Sequence, residues 1–165
     1  MDEFQPGPET ALALRQCLGR FATGVTVVTT AGPDGPLGIT ANSFASVSLD
    51  PPLVLWSPAR RSARFDAFCA AQDYAIHVLA ADQEPLARRF ARAGHGFEGL
   101  EWRETPGGGV PLLEGVLARF LCRQQAVHEG GDHAIIVGRV LQAAQRDGAP
   151  LTFFGGQYGS FAPFA

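Results

Sequence analysis

Three short stretches concentrate side chains able to bind or to react. Residues 40–48, T-A-N-S-F-A-S-V-S, gather Thr40, Asn42, Ser43, Ser46 and Ser48 close together. A core strand carries fewer such groups, because each buried hydroxyl without a partner costs free energy. Either backbone amides and short side chains converge here on a flat, polar-edged ligand, or an edge strand turns its hydroxyls to water. The second stretch is Ser57-Pro58-Ala59-Arg60-Arg61-Ser62-Ala63-Arg64, between a strand pattern and a helix pattern. Hydroxyls, free N–H groups and guanidinium groups suit an anion; a capping Ser62 beside solvated arginines accounts for the same residues. A further basic pair, Arg88-Arg89, precedes Phe90 and either reaches the same anion or forms a solvated helix face. The third stretch is Gly131-Asp132-His133 at a hairpin bend, where a histidine can hydrogen-bond a substrate, move a proton, or do neither.

Other chemistry finds little support. His77, His95 and His128 have no metal-ligand spacing to one another or to Cys17, Cys69 and Cys122, so no metal is expected. His77, inside a strand pattern, reads as a satisfied core residue. The three cysteines lie in apolar patterns and read as buried structural thiols, with neither a disulfide framework nor a zinc site. No G-x-G-x-x-G follows a strand, and neither a phosphate-binding P-loop nor a G-x-S-x-G elbow occurs. A net charge of −3, with 13 basic residues spread along 165, argues against a nucleic-acid partner. The acidic start lacks the regions of a signal peptide, and no apolar run has bilayer length, so a cytoplasmic protein off the membrane is expected.

The elements that must position these stretches follow from periodicity and turn residues. One domain over residues 1–165 is expected, with a loose arm at 1–8 and an aromatic tail at 155–165. Thr10 is placed to cap a helix whose Ala11, Leu14, Leu18 and Phe21 recur at three- and four-residue steps. Strands are expected at Gly24–Thr30, Leu37–Phe44, around Leu53–Trp56, and at Tyr74–Leu79. Helices fit Ala63–Ala71 and the segment after Asp82, with Leu86, Ala87 and Phe90 facing in. Residues 93–111 read as a long glycine-rich loop. Glu114–His128 and Asp132–Ala144 form an extended hairpin, and Leu151–Phe154 is a last short strand. Tight turns and 20 glycines favour a mainly β fold, an antiparallel barrel with helices outside it.

T-A-N-S-F-A-S-V-S-L-D-P-P-L-V at 40–54, S-P-A-R-R-S at 57–62, L-A-R-R-F-A at 86–91, G-D-H at 131–133 and G-x-Y at 156–158 occur in that order. Together they resemble the short-chain flavin reductase family, the reductase components of two-component flavin-dependent monooxygenases. The similarity covers about residues 10–160. It implies a split β-barrel with a few peripheral helices, forming a homodimer that binds FMN or FAD near the subunit interface. By position, Thr40, Ala41, Asn42 and Ser43 would hold the isoalloxazine edge, with Ser46 and Ser48 beside its reactive middle. Ser57, Pro58, Ala59 and Ser62, with Arg89 and Phe90, would hold the ribityl chain and phosphate, and Arg64 is a further phosphate candidate. His133 would be the catalytic residue, seating the nicotinamide of NADH or NADPH, with Tyr158 near the same pocket. Reduced flavin would then diffuse to a partner monooxygenase. Two other classes stay open at this level: a protein using a permanently bound flavin for another redox reaction, and a non-enzymatic flavin-binding barrel.

Overall fold

The computed structural model describes residues 1–107 and 109–164. A 3-10 turn at Pro8–Thr10 leads into α1 (Ala11–Leu18). Thr10 does not cap this helix. Its hydroxyl donates to the Gln5 carbonyl and accepts the Gly7 N–H, tying the N-terminal arm instead. Nor does the apolar side of α1 enter a core: Leu18 and Phe21 remain exposed, although their spacing pointed inward.

Strands β1 (Thr23–Gly24), β2 (Thr26–Gly32), β3 (Gly35–Ala41), β4 (Ala45–Leu49) and β5 (Pro52–Trp56) come next. Helix α2 (Phe65–Ala70), strand β6 (Asp73–Val78) and helix α3 (Glu84–Arg92) follow. Then come β7 (Trp102–Glu104), β8 (Pro111–Leu113), β9 (Ala118–Gly130), β10 (His133–Gln145), β11 (Leu151–Phe154) and β12 (Gln157–Ser160). The segment 93–111 is therefore not all loop. It holds β7 and the start of β8, paired from Trp102↔Leu113 to Glu104↔Pro111. Strands this short leave no periodicity among so many glycines, so only their packing reveals them. The aromatic tail likewise contains β12, which pairs with β11.

Seven strands form one antiparallel sheet in the order β3-β2-β6-β9-β10-β5-β4. Laid flat, its two edges would stand roughly 29 Å apart at about 4.8 Å per spacing. Yet β3 and β4 are joined by residues 42–44 alone, and four Cα steps of about 3.8 Å span roughly 15 Å at most. The sheet must therefore coil until its edges approach. No ladder joins β3 to β4 among the described residues, so the coil stays split along that line.

Strand β2 shows why its sequence lacks alternation. Val28 packs with Ile39, Val54, Trp56, Phe68, Tyr74, Ile76, Cys122 and Ile136 on one face. Val27 packs with Val25, Leu79, Ala87, Phe90, Phe97, Leu113 and Leu151 on the other. A strand buried on both faces reads as a continuous apolar run. Its threonines are accommodated because each hydroxyl finds a carbonyl: Thr26 on Ala41, Thr29 on Pro111 and Thr30 on Asp73, at 2.7, 2.5 and 2.8 Å.

Candidate functional site: the split edge of the sheet and the adjoining groove

Residues 42–44 cross the split, and their main-chain N–H groups donate to no protein acceptor among the described residues. Asn42 is exposed, while Ser43 is half-buried because it is anchored. Its hydroxyl oxygen accepts the Ser57 N–H at 2.9 Å and lies 3.2 Å from the Ser57 carbonyl. The polar link and the S-P-A-R-R-S loop are thus fastened side by side. Thr40 is fixed from the other direction, donating to the Ala87 carbonyl of α3 at 2.7 Å.

Beside this junction lies an open groove of about 750 Å³. Thr40, Ala59 and Ser62 line it, together with the cationic groups of Arg61, Arg64 and Arg92 and the imidazole of His95. Its floor is close-packed. A Cβ on Gly38 would sit 2.6 Å from the Phe90 ring, and one on Gly94 would sit 2.8 Å from Cδ of Arg64. Arg64 is half spent on this floor: its Nη1 donates to the Gly38 and Phe90 carbonyls at 3.1 and 2.7 Å. Partial burial pushes its pKa down.

Not every residue named from the sequence reaches this groove. Arg89 turns away, donating through Nη1 to the Glu98 carbonyl at 2.9 Å and lining a separate pocket with Leu86 and Leu100. The Phe90 ring is fully buried beneath Gly38, so its main chain alone approaches the groove. Ser46 and Ser48 lie on the edge strand β4, and Ala41 ends β3. Tyr158 sits on β12 against Phe153, with the Arg88 guanidinium 5.0 Å from its ring centre. Two groove residues have no binding role in the sequence reading: Arg92, one helical turn beyond Arg88 and Arg89, and His95, just past the helix end and weighed only as a metal ligand.

The third stretch joins the same assembly because β5 does not release β10 at Trp56. Its pairing with β10 continues through Ala134 N–H to the Pro58 carbonyl, an Ala59↔His133 bridge, and Arg60 N–H to the Asp132 carbonyl. His133 Nδ1 lies 2.7 Å from the Asp132 carboxylate. The carboxylate accepts, so Nδ1 carries the proton, and Nε2 of the partly exposed ring has no protein partner among the described residues. That hydrogen bond, helped by the charge of the pair, holds the Asp132 carboxyl below its usual range. His77, by contrast, is fully buried and spent on structure, bonded to Val27 and Leu113.

The geometry therefore unites a row of unused N–H donors, a cation-lined groove and an oriented imidazole. The cysteines do not line the groove, and burial holds for one alone: Cys17 is exposed because α1 packs into no core, Cys69 is half-buried, and burial pushes the Cys122 thiol up to about 12, out of the reactive range. Among the described residues, no group of three or more His, Cys, Asp or Glu is placed to hold a metal. No helix of the described residues is long and apolar enough to cross a membrane.

The chain is 58% identical over 159 residues to the FMN reductase (NADH) SmoA of Agrobacterium fabrum, covering 96% of this chain and 91% of that one. It is 40% identical over 151 residues to HsaB, the reductase subunit of a flavin-dependent monooxygenase of Rhodococcus jostii, covering 90% and 77%. Its fold matches the NADH:FAD oxidoreductase SgcE6 of Streptomyces globisporus, solved in complex with NAD and FAD fragments, with a TM-score of 0.89. That match has 39% identity and covers 99% of each chain. The flavin reductase like domain accounts for residues 18–162, and the chain belongs to that family.

Proposed function

We propose that this chain is an NADH-dependent flavin reductase that takes FMN or FAD as a freely exchanging substrate and hands the reduced form to a separate monooxygenase. Flavin, when bound, supplies the chemistry by accepting a hydride from the reduced nicotinamide; the protein contributes binding and electrostatics. One observation carries the reading: the Ser43–Ser57 tie, which sets the unused N–H groups of 42–44 beside the cation-lined groove.

The residues present fit such a ligand. Main-chain N–H groups of Asn42 and Ser43, set beside Thr40 and Ala41, offer donors to a polar ring edge, and donors fixed in advance stabilise negative charge there. Ser46 and Ser48 flank that position on β4. Ser57, Pro58, Ala59 and Ser62 present the ribityl and phosphate side, where Arg61 and Arg92 add charge. From α3, the Phe90 carbonyl steadies that side by holding Arg64, whereas Arg89 is spent on the neighbouring loop. His133, its tautomer set by Asp132, presents Nε2 to the carboxamide of the nicotinamide, and Tyr158 is assigned to the same visitor.

The working form is a homodimer. Exposed Leu12, Leu18 and Phe21 around α1, and Val47 and Leu49 on the edge strand β4, supply apolar surface for a second copy. Elution at twice the protomer mass in gel filtration would support this, and a monomer at micromolar concentration would count against it. Three free cysteines match a reducing, cytoplasmic setting.

The decisive experiment is steady-state NADH oxidation with no flavin, riboflavin, FMN or FAD added. Turnover that rises and saturates with added flavin supports the proposal. Oxidation unchanged by any flavin would reject it, and a yellow protein that needs none would mark the flavin as permanently bound.

A further inference from the structure

Arg60 is the first arginine of the S-P-A-R-R-S loop, and composition alone would count it among anion ligands. Its surroundings give it another task. Its main-chain N–H donates to the Asp132 carbonyl at 2.9 Å, and its Nε donates to the Gly131 carbonyl at 3.0 Å. Its Nη2 pairs with the Glu129 carboxylate, and its guanidinium carbon lies 5.2 Å from the centre of the Phe65 ring. One edge of the guanidinium, Nε with Nη2, is thus committed to the β9–β10 bend and one face to α2. Arg60 is absent from the groove lining, whereas Arg61, Arg64 and Arg92 are present.

The bend needs such a brace. Gly131 sits at φ +69°, a conformation favouring glycine, and the Gly130 to Asp132 segment is exposed. The next residue is His133, held to the loop by its bridge to Ala59. The same loop is fastened by Ser57 to Ser43 at the split edge. Arg60 therefore lies on the mechanical path between the flavin-side loop and the histidine assigned to the nicotinamide.

We propose that Arg60, with Glu129, is a positioning residue: it clamps the Gly131-Asp132 bend onto the S-P-A-R-R-S loop and thereby fixes where His133 presents its ring. This rests on the role given to His133 above. A fixed ring loses less freedom when the nicotinamide arrives, so the brace acts on binding of the hydride donor and not on the flavin phosphate.

The test compares Arg60→Ala, Arg60→Lys, Glu129→Gln and His133→Ala, plus the Arg60→Ala/His133→Ala double variant. Steady-state kinetics with NADH are paired with FMN and riboflavin affinities from fluorescence quenching. Because the ion pair is largely exposed, Arg60→Ala should raise KM for NADH by about fivefold. It should leave kcat within about twofold and leave both flavin affinities alone. Lysine keeps the charge but cannot fork between Gly131 and Glu129, so Arg60→Lys and Glu129→Gln should each show part of the rise. In the His133→Ala background, Arg60→Ala should add nothing, since the residue acts through His133. Loss of FMN binding with riboflavin unchanged would make Arg60 a phosphate ligand and overturn the inference. So would a fully additive effect in the double variant, or a raised KM for His133→Ala with none for Arg60→Ala. If His133→Ala itself leaves KM unchanged, the reading of the histidine fails first and takes the brace with it.

Discussion

The main-chain N–H of Leu113 donates to Nε2 of His77 across 3.1 Å. That nitrogen must be unprotonated, so Nδ1 carries the hydrogen and donates to the Val27 carbonyl at 3.0 Å. One neutral imidazole thus joins β2, β6 and β8 in a fully buried position. Burial, the largest cause, pushes its pKa down from 6.5 to about 3.

A pH dependence of stability follows. The unfolded chain takes up this proton below about pH 6.5, whereas the folded chain resists until about pH 3. The contribution is complete above 6.5 and is lost as pH falls through that window, by about 1.4 kcal/mol per pH unit. Urea midpoints at pH 7.5, 5.5 and 4.5 should fall accordingly, and His77→Gln should lower the starting stability but flatten the slope. An equal slope in the variant would remove His77 as its source.

Ser43→Ala removes the acceptor of the Ser57 N–H and loosens the loop from the split edge. A part-buried donor left without its partner costs about 1 to 2 kcal/mol. The melting temperature should drop by roughly 2–8 °C, with flavin affinity falling as well. A variant that binds flavin as tightly as the parent would show that the tie does not shape the site.

Gly138→Ala should be among the most damaging single methyl additions. The new Cβ would overlap the phenol oxygen of buried Tyr74 and lie 2.8 Å from its Cζ. Overpacking of this kind costs about 1–3 kcal/mol or more. Among the described residues the Tyr74 hydroxyl makes no hydrogen bond of normal geometry, the Trp56 indole being its polar neighbour. Tyr74→Phe should therefore be mild alone and recover part of the loss in the double variant, as read by urea unfolding.

His133→Ala should raise KM for NADH by roughly tenfold, about 1.4 kcal/mol of lost interaction, with oxidised flavin bound as before. Unchanged kinetics at subsaturating NADH would refute the assignment.

Arg92→Ala and Ser62→Ala should weaken FMN by about fivefold while sparing riboflavin, which lacks the phosphate. Arg89→Ala, whose Nη1 holds the Glu98 carbonyl, should affect both flavins alike. The reverse pattern would move the phosphate from the groove to the face where Arg89 lies.

Much of this molecule was legible in its residues. The β2 strand was written in G-V-T-V-V-T-T, the long hairpin in two runs flanking Glu129-Gly130-Gly131, and the candidate site in three polar stretches whose order matched a family. Periodicity reports burial and turn residues report reversal, and both are local properties that a sequence carries openly. The short strands β7, β8 and β12 left no such mark. Neither did the exposure of Leu18 and Phe21, because spacing shows that a helix has an apolar face but not what covers it.

The allocation of the arginines was settled by tertiary structure alone. Arg60 braces a bend, Arg64 ties down two carbonyls, Arg89 holds a neighbouring loop, and Arg61 and Arg92 line the groove. A guanidinium on a long flexible stem goes to whichever acceptors lie within reach. Those acceptors are main-chain carbonyls whose positions exist only once the sheet has coiled and Gly38 has let Phe90 come close.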